Sequence, residues 1–356
     1  MPPPLDLQRK KRVIPADTAS KDALATLQLA STVQPHGTKS PGIVALAPCL
    51  TAGHANLIAT AGADRIALIF DVNEGRVVGR LGGAHAKRVN DIAWSPSAGA
   101  AGGVELLFTA SADGLVRAWA PDAKGSGSVF ARTGTAAADF SVAASIRAHG
   151  GRDALSVSLH PLGTHGVSAG ADGSWAFWDV VAERVLATVP LGSGAAPTAI
   201  RVHPDGMLVA LTAADGAVRI FDLRSQTVAA TFEGAAPATS VAFSENGFHL
   251  ASAGGDGIAL RDLRKVGGTP LVATWSPGGA GVAATAVAFD AAGWTVAGGD
   301  ASGAVAAWET RDEFAQVLKT VRHHSAAVSG LAWGDLSRSL VSSSLTERAV
   351  HVLRTK

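Results

Sequence analysis

The sequence predicts an all-β fold of stacked four-stranded units, and two observations carry that prediction. The first is a repeat: seven times, a run of small and apolar residues ends in a turn acid and is followed by a short strand. The clearest copies are SADGLVRAW (Ser111–Trp119), ADGSWAFWDV (Ala171–Val180), DGAVRIFD (Asp215–Asp222) and GADRIALIFD (Gly62–Asp71). Weaker copies are GGDGIALRD (Gly254–Asp262), GGDASGAVAAW (Gly298–Trp308) and SLTERAVHVL (Ser344–Leu353). The second observation is that helical periodicity is absent almost everywhere, while 41 glycines suit many tight turns between short strands. A unit of this size cannot bury both its faces, so the units must stack on one another.

The turn acids Asp64, Asp113, Asp172, Asp215, Asp256, Asp300 and Glu347 recur at intervals of 49, 59, 43, 41, 44 and 47 residues. A period of roughly 40–45 residues is that of a WD-repeat propeller blade. The expectation is therefore a seven-bladed WD-repeat β-propeller with four antiparallel strands per blade, a ring that leaves only short, protected edges.

The elements follow in chain order. Residues 1–23 read as a mobile tail with a Pro cluster and the basic run QRKKR (Gln8–Arg12), and residues 24–356 as the propeller. Leu24–Val33 is apolar enough for one strand, after which Pro35, Gly37, Pro41 and Gly42 punctuate the chain. Each unit then reads as strand, loop, strand, turn, strand and a fourth strand leading onward. In the second unit these are Val89–Trp94, Leu106–Ser111, Leu115–Trp119 and Phe140–Ile146. The interval of 59 reflects a flexible insertion over residues 121–138, rich in Gly, Ser and Ala, and the interval of 49 reflects padding by Ser97–Gly103. The seventh unit reaches Lys356 with no room for a fourth strand, so Leu24–Val33 is expected to supply it and close the ring.

Composition narrows the function. The chain is 47% hydrophobic and 17% charged with a formal net charge of +1, so no direct nucleic-acid binding is expected from bulk charge. The single cysteine, Cys49, excludes an intrachain disulfide framework and any multi-cysteine metal site, and reads as a buried inert thiol. No apolar run reaches the ~18 residues of a membrane-spanning helix, and the N-terminal stretch lacks the apolar segment of a signal peptide.

Several units combine His, Asp, a hydroxyl and Trp: His85, Asp113, Trp119 and either Thr109 or Ser111 in the second, and His149, Asp172, Trp178 and Ser168 in the third. A Ser-His-Asp triad is one reading, but a catalytic triad occurs once, whereas this set recurs, and no nucleophile elbow or oxyanion hole accompanies it. The set instead matches the structural network inside WD blades: the acid holds the His, the His holds the hydroxyl, and the hydroxyl accepts the indole N–H, so every buried polar group has a partner. Asp215 in the fourth unit and His324 in the seventh belong to the same network. The expected His is missing from units four to six, Arg261 replaces the aromatic in the fifth, and Glu347 replaces the acid in the seventh with no Trp. Those units are expected to rely on apolar packing. No cofactor, metal or catalytic residue is assigned. The His323–His324 pair reads as one network His beside a solvated one, although a metal-ligand pair is the alternative. Lys87, Arg88 and Arg152 fall in loops beside the turns and make either a basic rim for an acidic or phosphorylated protein segment or ordinary solvated surface.

Beyond the repeat, SPGIVAL (Ser40–Leu46), GADRIALIFD, GSWAFWDV (Gly173–Val180), HPDGMLVA (His203–Ala210), SVAFSENGFHLASAGGDG (Ser240–Gly257) and DLRK (Asp262–Lys265) resemble segments of the C-terminal WD-repeat domain of the pre-mRNA-processing factor 19 family, and QRKKR resembles the basic stretch before that domain. The resemblance covers the chain from about Gln8 onward. It implies a nuclear domain that docks protein partners, namely splicing factors and ubiquitination substrates, in spliceosome activation and the DNA-damage response. QRKKR would then be a nuclear import signal or a solvated tail. The family's ligase activity resides in a U-box followed by a tetramerising coiled coil. Neither is legible before Ser40, so these residues are expected to be monomeric and without ligase activity of their own. The alternatives are a WD-repeat scaffold from another complex and, less favoured, an autonomous ligase or hydrolase.

Overall fold

The computed structural model describes residues 17–36, 42–49, 54–96, 106–122, 138–265, 267–311 and 316–356. The basic run Gln8–Arg12, the padding Ser97–Gly103 and most of the 121–138 insertion lie outside them. The described residues form an all-β, propeller-like WD-repeat fold. Five sheets of four strands and one of eight hold 28 strands. The eight-stranded sheet is two four-stranded sets that meet only where Gly79 and Arg80 run parallel to Ala138 and Asp139.

Within each repeat the strands lie in sequence order. The second unit runs Val89–Trp94, Leu107–Ser111, Val116–Pro121 and Ala138–Ile146, so its first boundary is as expected and the others shift by one or two residues. Second strands are the most deeply placed: Leu57–Gly62, His249–Gly254 and Thr295–Asp300 are buried at every residue. Fourth strands such as Thr227–Phe232 are largely exposed. The core lies between units. Ile69 and Leu81 of the first pack with Val89, Ile92 and Trp119 of the second. Phe108 and Ala118 of the second pack with Val157 and Trp178 of the third, and the pattern continues along the chain. Val341 and Val352 of the last unit pack with Ile43, Ile58 and Phe70 of the first.

The first strands also touch in succession, and Val328–Gly334 returns to Ile43–Pro48. Every one of them begins with a β-bulge. A bulge leaves one residue unpaired and re-aims its side chain. Here that residue stitches one unit to the next. Asn90 donates to the Ala154 carbonyl at 2.7 Å, Thr198 to that of Ala238 at 2.6 Å, Thr239 to that of Ala284 at 3.4 Å, and Thr285 to that of Val328 at 2.7 Å. Ser329 donates to the Ile43 carbonyl at 2.6 Å, joining the last unit to the first by the same bond. The bulged residues of units one and three, Val44 and Leu155, have aliphatic side chains with nothing to donate.

The N-terminal segment differs from the expectation. The stretch Leu24–Val33 is not one strand: Lys21–Ala25 is a short helix and only Gln28–Val33 is a strand. Ser20 caps the helix by accepting from the Ala23 N–H at 3.3 Å, Asp22 lies in its first turn, and none of its five residues is β-branched. The strand pairs antiparallel with Val350–Arg354, from Gln28 opposite Arg354 to Val33 opposite Val350. Residues 17–23, expected within the mobile tail, are anchored, with the Ala19 N–H donating to the Leu336 carbonyl at 3.2 Å and Lys21 paired with Glu309. Leu24 and Leu27 enter the core between units six and seven.

Candidate functional site

The polar sets of the second and third units sit where the turn between the second and third strands meets the loop arriving from the preceding unit. Trp119 Nε1 lies 2.8 Å from Thr109 Oγ1, Thr109 Oγ1 lies 2.7 Å from His85 Nε2, and His85 Nδ1 lies 3.0 Å from Asp113. The third unit repeats this with Trp178, Ser168, His149 and Asp172 at 3.2, 2.9 and 3.2 Å. The open choice of hydroxyl falls on Thr109. Ser111 instead donates to the carbonyls of Lys87 and Arg88.

The direction of the protons follows from the acid. An ionised carboxylate can only accept, so the neutral imidazole keeps its one proton on Nδ1 for it, Nε2 accepts from the hydroxyl, and the hydroxyl accepts from the indole N–H. Burial pushes His85 and His149 below the ordinary imidazole value against the pull of their acids, so both are neutral near pH 7. Burial opposes ionisation of Asp113, but hydrogen bonds from Arg117 and His85 outweigh it and hold the carboxyl well below its usual range. Thr109 and Ser168 are fully buried, with no access for a substrate carbonyl, which removes these sets as nucleophilic centres.

A third complete pairing escaped the sequence reading. His36 Nδ1 lies 3.0 Å from Asp64, and its Nε2 lies 2.9 Å from Thr60. The signal was present: His36 precedes Thr60 by 24 residues and Asp64 by 28, the same spacings that separate His85 from Thr109 and Asp113.

The units lacking this set carry polar replacements, which corrects the expectation of apolar packing alone. In the fourth unit Asp215 pairs with Arg219 at 2.6 Å in place of a His. In the fifth, Arg261 does the work of the indole: its guanidinium donates to Ser252 at 2.7 Å and lies over the Phe232 ring. In the sixth, Asp300 is not the turn acid. Gly303 has the left-handed φ of 86° and donates to the Asp300 carbonyl, as Gly114 does to that of Ser111, so Ser302 occupies the acid's place. Asp300 matches Gly62 and Gly170, where a Cβ would meet the His36 or His149 ring at 2.5 Å or less. The position can also take a side chain beside a His, as Ser111 does in the unit of His85, and here the Asp300 carboxylate caps its own turn through Ser302 and Ala304. In the seventh, His324 lies 2.6 Å from Glu347 and 2.9 Å from Ser342.

Lys87, Arg88 and Arg152 are exposed. Their backbones flank the Asp113 turn: Ala112 N–H donates to the Arg88 carbonyl, and a Cβ on Gly114 would lie 3.0 Å from the Arg152 carbonyl oxygen. A further network absent from the sequence reading crosses three units. Asp91 accepts from Ser156 at 2.5 Å and from Arg201 at 2.9 Å, and its signal is a buried acid beside Asn90 within the strand Val89–Trp94.

Fold and networks together define a WD-repeat interaction domain, and the family model "WD domain, G-beta repeat" matches residues 75–120, 186–222 and 226–260. The chain is 35% identical over 264 residues to pre-mRNA-processing factor 19 homolog 2 of Arabidopsis thaliana, and 30% identical over 264 residues to pre-mRNA-processing factor 19 of Oryza sativa. Each match covers 74% of this chain and 46% of the relative. The Bos taurus protein is 32% identical over 189 residues, covering 52% of this chain and 32% of its own length. This WD-repeat domain belongs to the pre-mRNA-processing factor 19 family. The chain spans less than half the length of the curated relatives it matches.

Proposed function

We propose that this chain is a docking domain for protein partners in pre-mRNA splicing, acting in the nucleus. The observation that carries the reading is the 264-residue match to relatives named as pre-mRNA-processing factors. Ubiquitination substrates and a part in the DNA-damage response, implied by the resemblance, belong to the same proposal. Affinity purification with this chain from nuclear extract tests it: recovery of splicing factors is expected, and their absence against a mock bait counts against the reading.

The architecture we propose is a ring of seven blades over residues 24–356, closed by Gln28–Val33. Support comes from the pairing of that strand with Val350–Arg354, from the shared core of the last and first units, and from the Ser329–Ile43 bond. The His, hydroxyl, acid and indole sets are proposed as the internal supports of the blades, since their hydrogen-bonding groups are spent on one another.

Lys87, Arg88 and Arg152 are proposed as a basic rim for an acidic or phosphorylated segment. Three exposed cations on two loops suit such recognition, because the Lys87 and Arg88 carbonyls are tied to the Asp113 turn and the Arg152 backbone packs against Gly114 of the same turn. Reversing Arg88 and Arg152 to Glu together should weaken partner recovery and leave the melting temperature unchanged. Undiminished recovery removes the rim from the proposal.

A further inference from the structure

We propose that His324, Glu347 and His351 form a binding site for a divalent transition-metal ion, zinc above all, on the last repeat unit. Each residue offers one ligand atom, and these atoms all lie within 4.8 Å of one another. Two imidazoles and a carboxylate are a donor set that zinc accepts. Zn–N and Zn–O bonds of about 2.0–2.2 Å place tetrahedral ligand atoms roughly 3.3 Å apart, so side-chain movement of about an ångström would complete the coordination.

The second unit shows what kind of group occupies this place. There Arg117 faces Thr109 across the strand pair, and its guanidinium lies 2.9 Å from Asp113 Oδ2 and in contact with His85 Nδ1. A cation thus sits at the junction of imidazole and turn acid. In the last unit the residue facing the equivalent hydroxyl, that of Ser342, is His351. The guanidinium has been exchanged for a group with a lone pair, in a place where the acid and the first imidazole are kept.

Loss of the indole completes the change. Trp119 pairs with Leu107, and the corresponding partner of Leu340 is Leu353. Without a metal ion, His324 Nδ1 donates its proton to Glu347 Oε2, 2.6 Å away. A metal ion can replace that proton, and Ser342, 2.9 Å from His324 Nε2 and with no indole N–H on its oxygen, can then accept the proton that moves to Nε2. Thr32 of the N-terminal strand lies 2.8 Å from His351 Nδ1, an outer contact that orients the imidazole and leaves Nε2 for the metal. Exposed His323, its ring centroid 6.1 Å from that of His351, stands within reach as a fourth ligand, with water as the alternative.

The test is titration of the full chain with zinc chloride and, separately, cobalt chloride. One equivalent of Co(II) should give the visible d–d bands of a four-coordinate site, zinc should displace it, and zinc should raise the melting temperature. Glu347→Gln and His351→Gln should each abolish the bands and the zinc-dependent shift. Absence of both signals in the unsubstituted chain overturns the proposal, as do bands that persist in both folded variants. Imidazole nitrogen NMR of the unsubstituted chain reads the same point without any variant. Zinc must move the His324 and His351 resonances, and shifts confined to other histidines overturn the assignment.

Discussion

An ionised carboxylate can only accept, and that fact sets the proton order of the whole Trp119–Thr109–His85–Asp113 chain. Removing Trp119 deletes both a fully packed side chain, 2% exposed, and the hydrogen bond that Thr109 accepts from it. Trp119→Ala should destabilise by about 3–5 kcal/mol, the scale of large aromatic truncations. Arg261→Ala should cost less. It loses one hydrogen bond and a cation–π contact of about 0.5–2 kcal/mol, but it also relieves the burial that holds the Arg261 pKa below its ordinary value. Equal effects in urea melts would contradict the reading that the indole contributes more to its unit than the guanidinium does to the fifth. The neutral histidines give a pH signature. Burial depresses His149 below its ordinary 6.5, so between the folded value and 6.5 the unfolded chain binds more protons than the folded one. Stability should then fall as the pH drops below about 6.5. His149→Gln should have a shallower slope between pH 7 and 5, and parallel slopes would remove His149 from the account.

At the scale of the element, the turns between second and third strands decide which side chains can meet. Gly170 is held to glycine by the His149 ring, 2.3 Å from where a Cβ would stand. To admit a Cβ the ring would have to shift against its bonds to Asp172 and Ser168, away from the place it takes here and toward one like that of His85, which stands beside Ser111 at the equivalent position. Gly170→Ala should therefore lower the melting temperature far more than Ala213→Gly at the equivalent position of the fourth unit, where no His arrives; a reversed order would show that the His loop yields. The same turns mark how far the sequence could be read. Period and strand order were legible because an acid–glycine turn and an alternating apolar strand are local signals. Asp300 was misplaced by two residues because its unit uses Ser302–Gly303, a turn with no acid to see. Lys21–Ala25 was hidden inside an apolar stretch, where the Ser20 cap and Asp22 were the only helix marks. That Arg261 stands in the aromatic's place was legible, but that its guanidinium takes over the indole's bond to the hydroxyl needed the register, since the turn before it is one residue shorter than in the second unit. The bulged donors Asn90, Thr198, Thr239, Thr285 and Ser329 recur at blade spacing, but a lone hydroxyl in a strand has no meaning until the neighbouring carbonyl is known.

At the scale of the whole molecule, closure is the feature on which the proposed ring depends, because sheets stacked in one line would leave the first and last unit each with an open face. Two independent sets of contacts meet at the junction. One is inner: the Ser329–Ile43 bond and the core shared by Val341, Val352, Ile43 and Phe70. The other is outer: Gln28–Val33 on Val350–Arg354, with Leu24 and Leu27 anchoring the segment between units six and seven. The two sets are separable by experiment. Deleting residues 1–34 removes the outer set entirely, exposes the backbone edge of Val350–Arg354 and takes away Leu24 and Leu27, each worth about 1.5–3 kcal/mol when fully buried. It leaves the inner set in place. The melting temperature should drop sharply while the inner contacts keep the shortened chain folded and cooperative. Ser329→Ala removes one inner bond and should cost only about 0.5–1.5 kcal/mol, because the core at the junction is unchanged. Combined with the deletion, it should cost more than the sum of the two, since each set limits the fraying that the other would permit. Simple additivity would mean that the junction does not act as one closure. An unchanged melting temperature on deletion would mean that the N-terminal strand does not hold the ring.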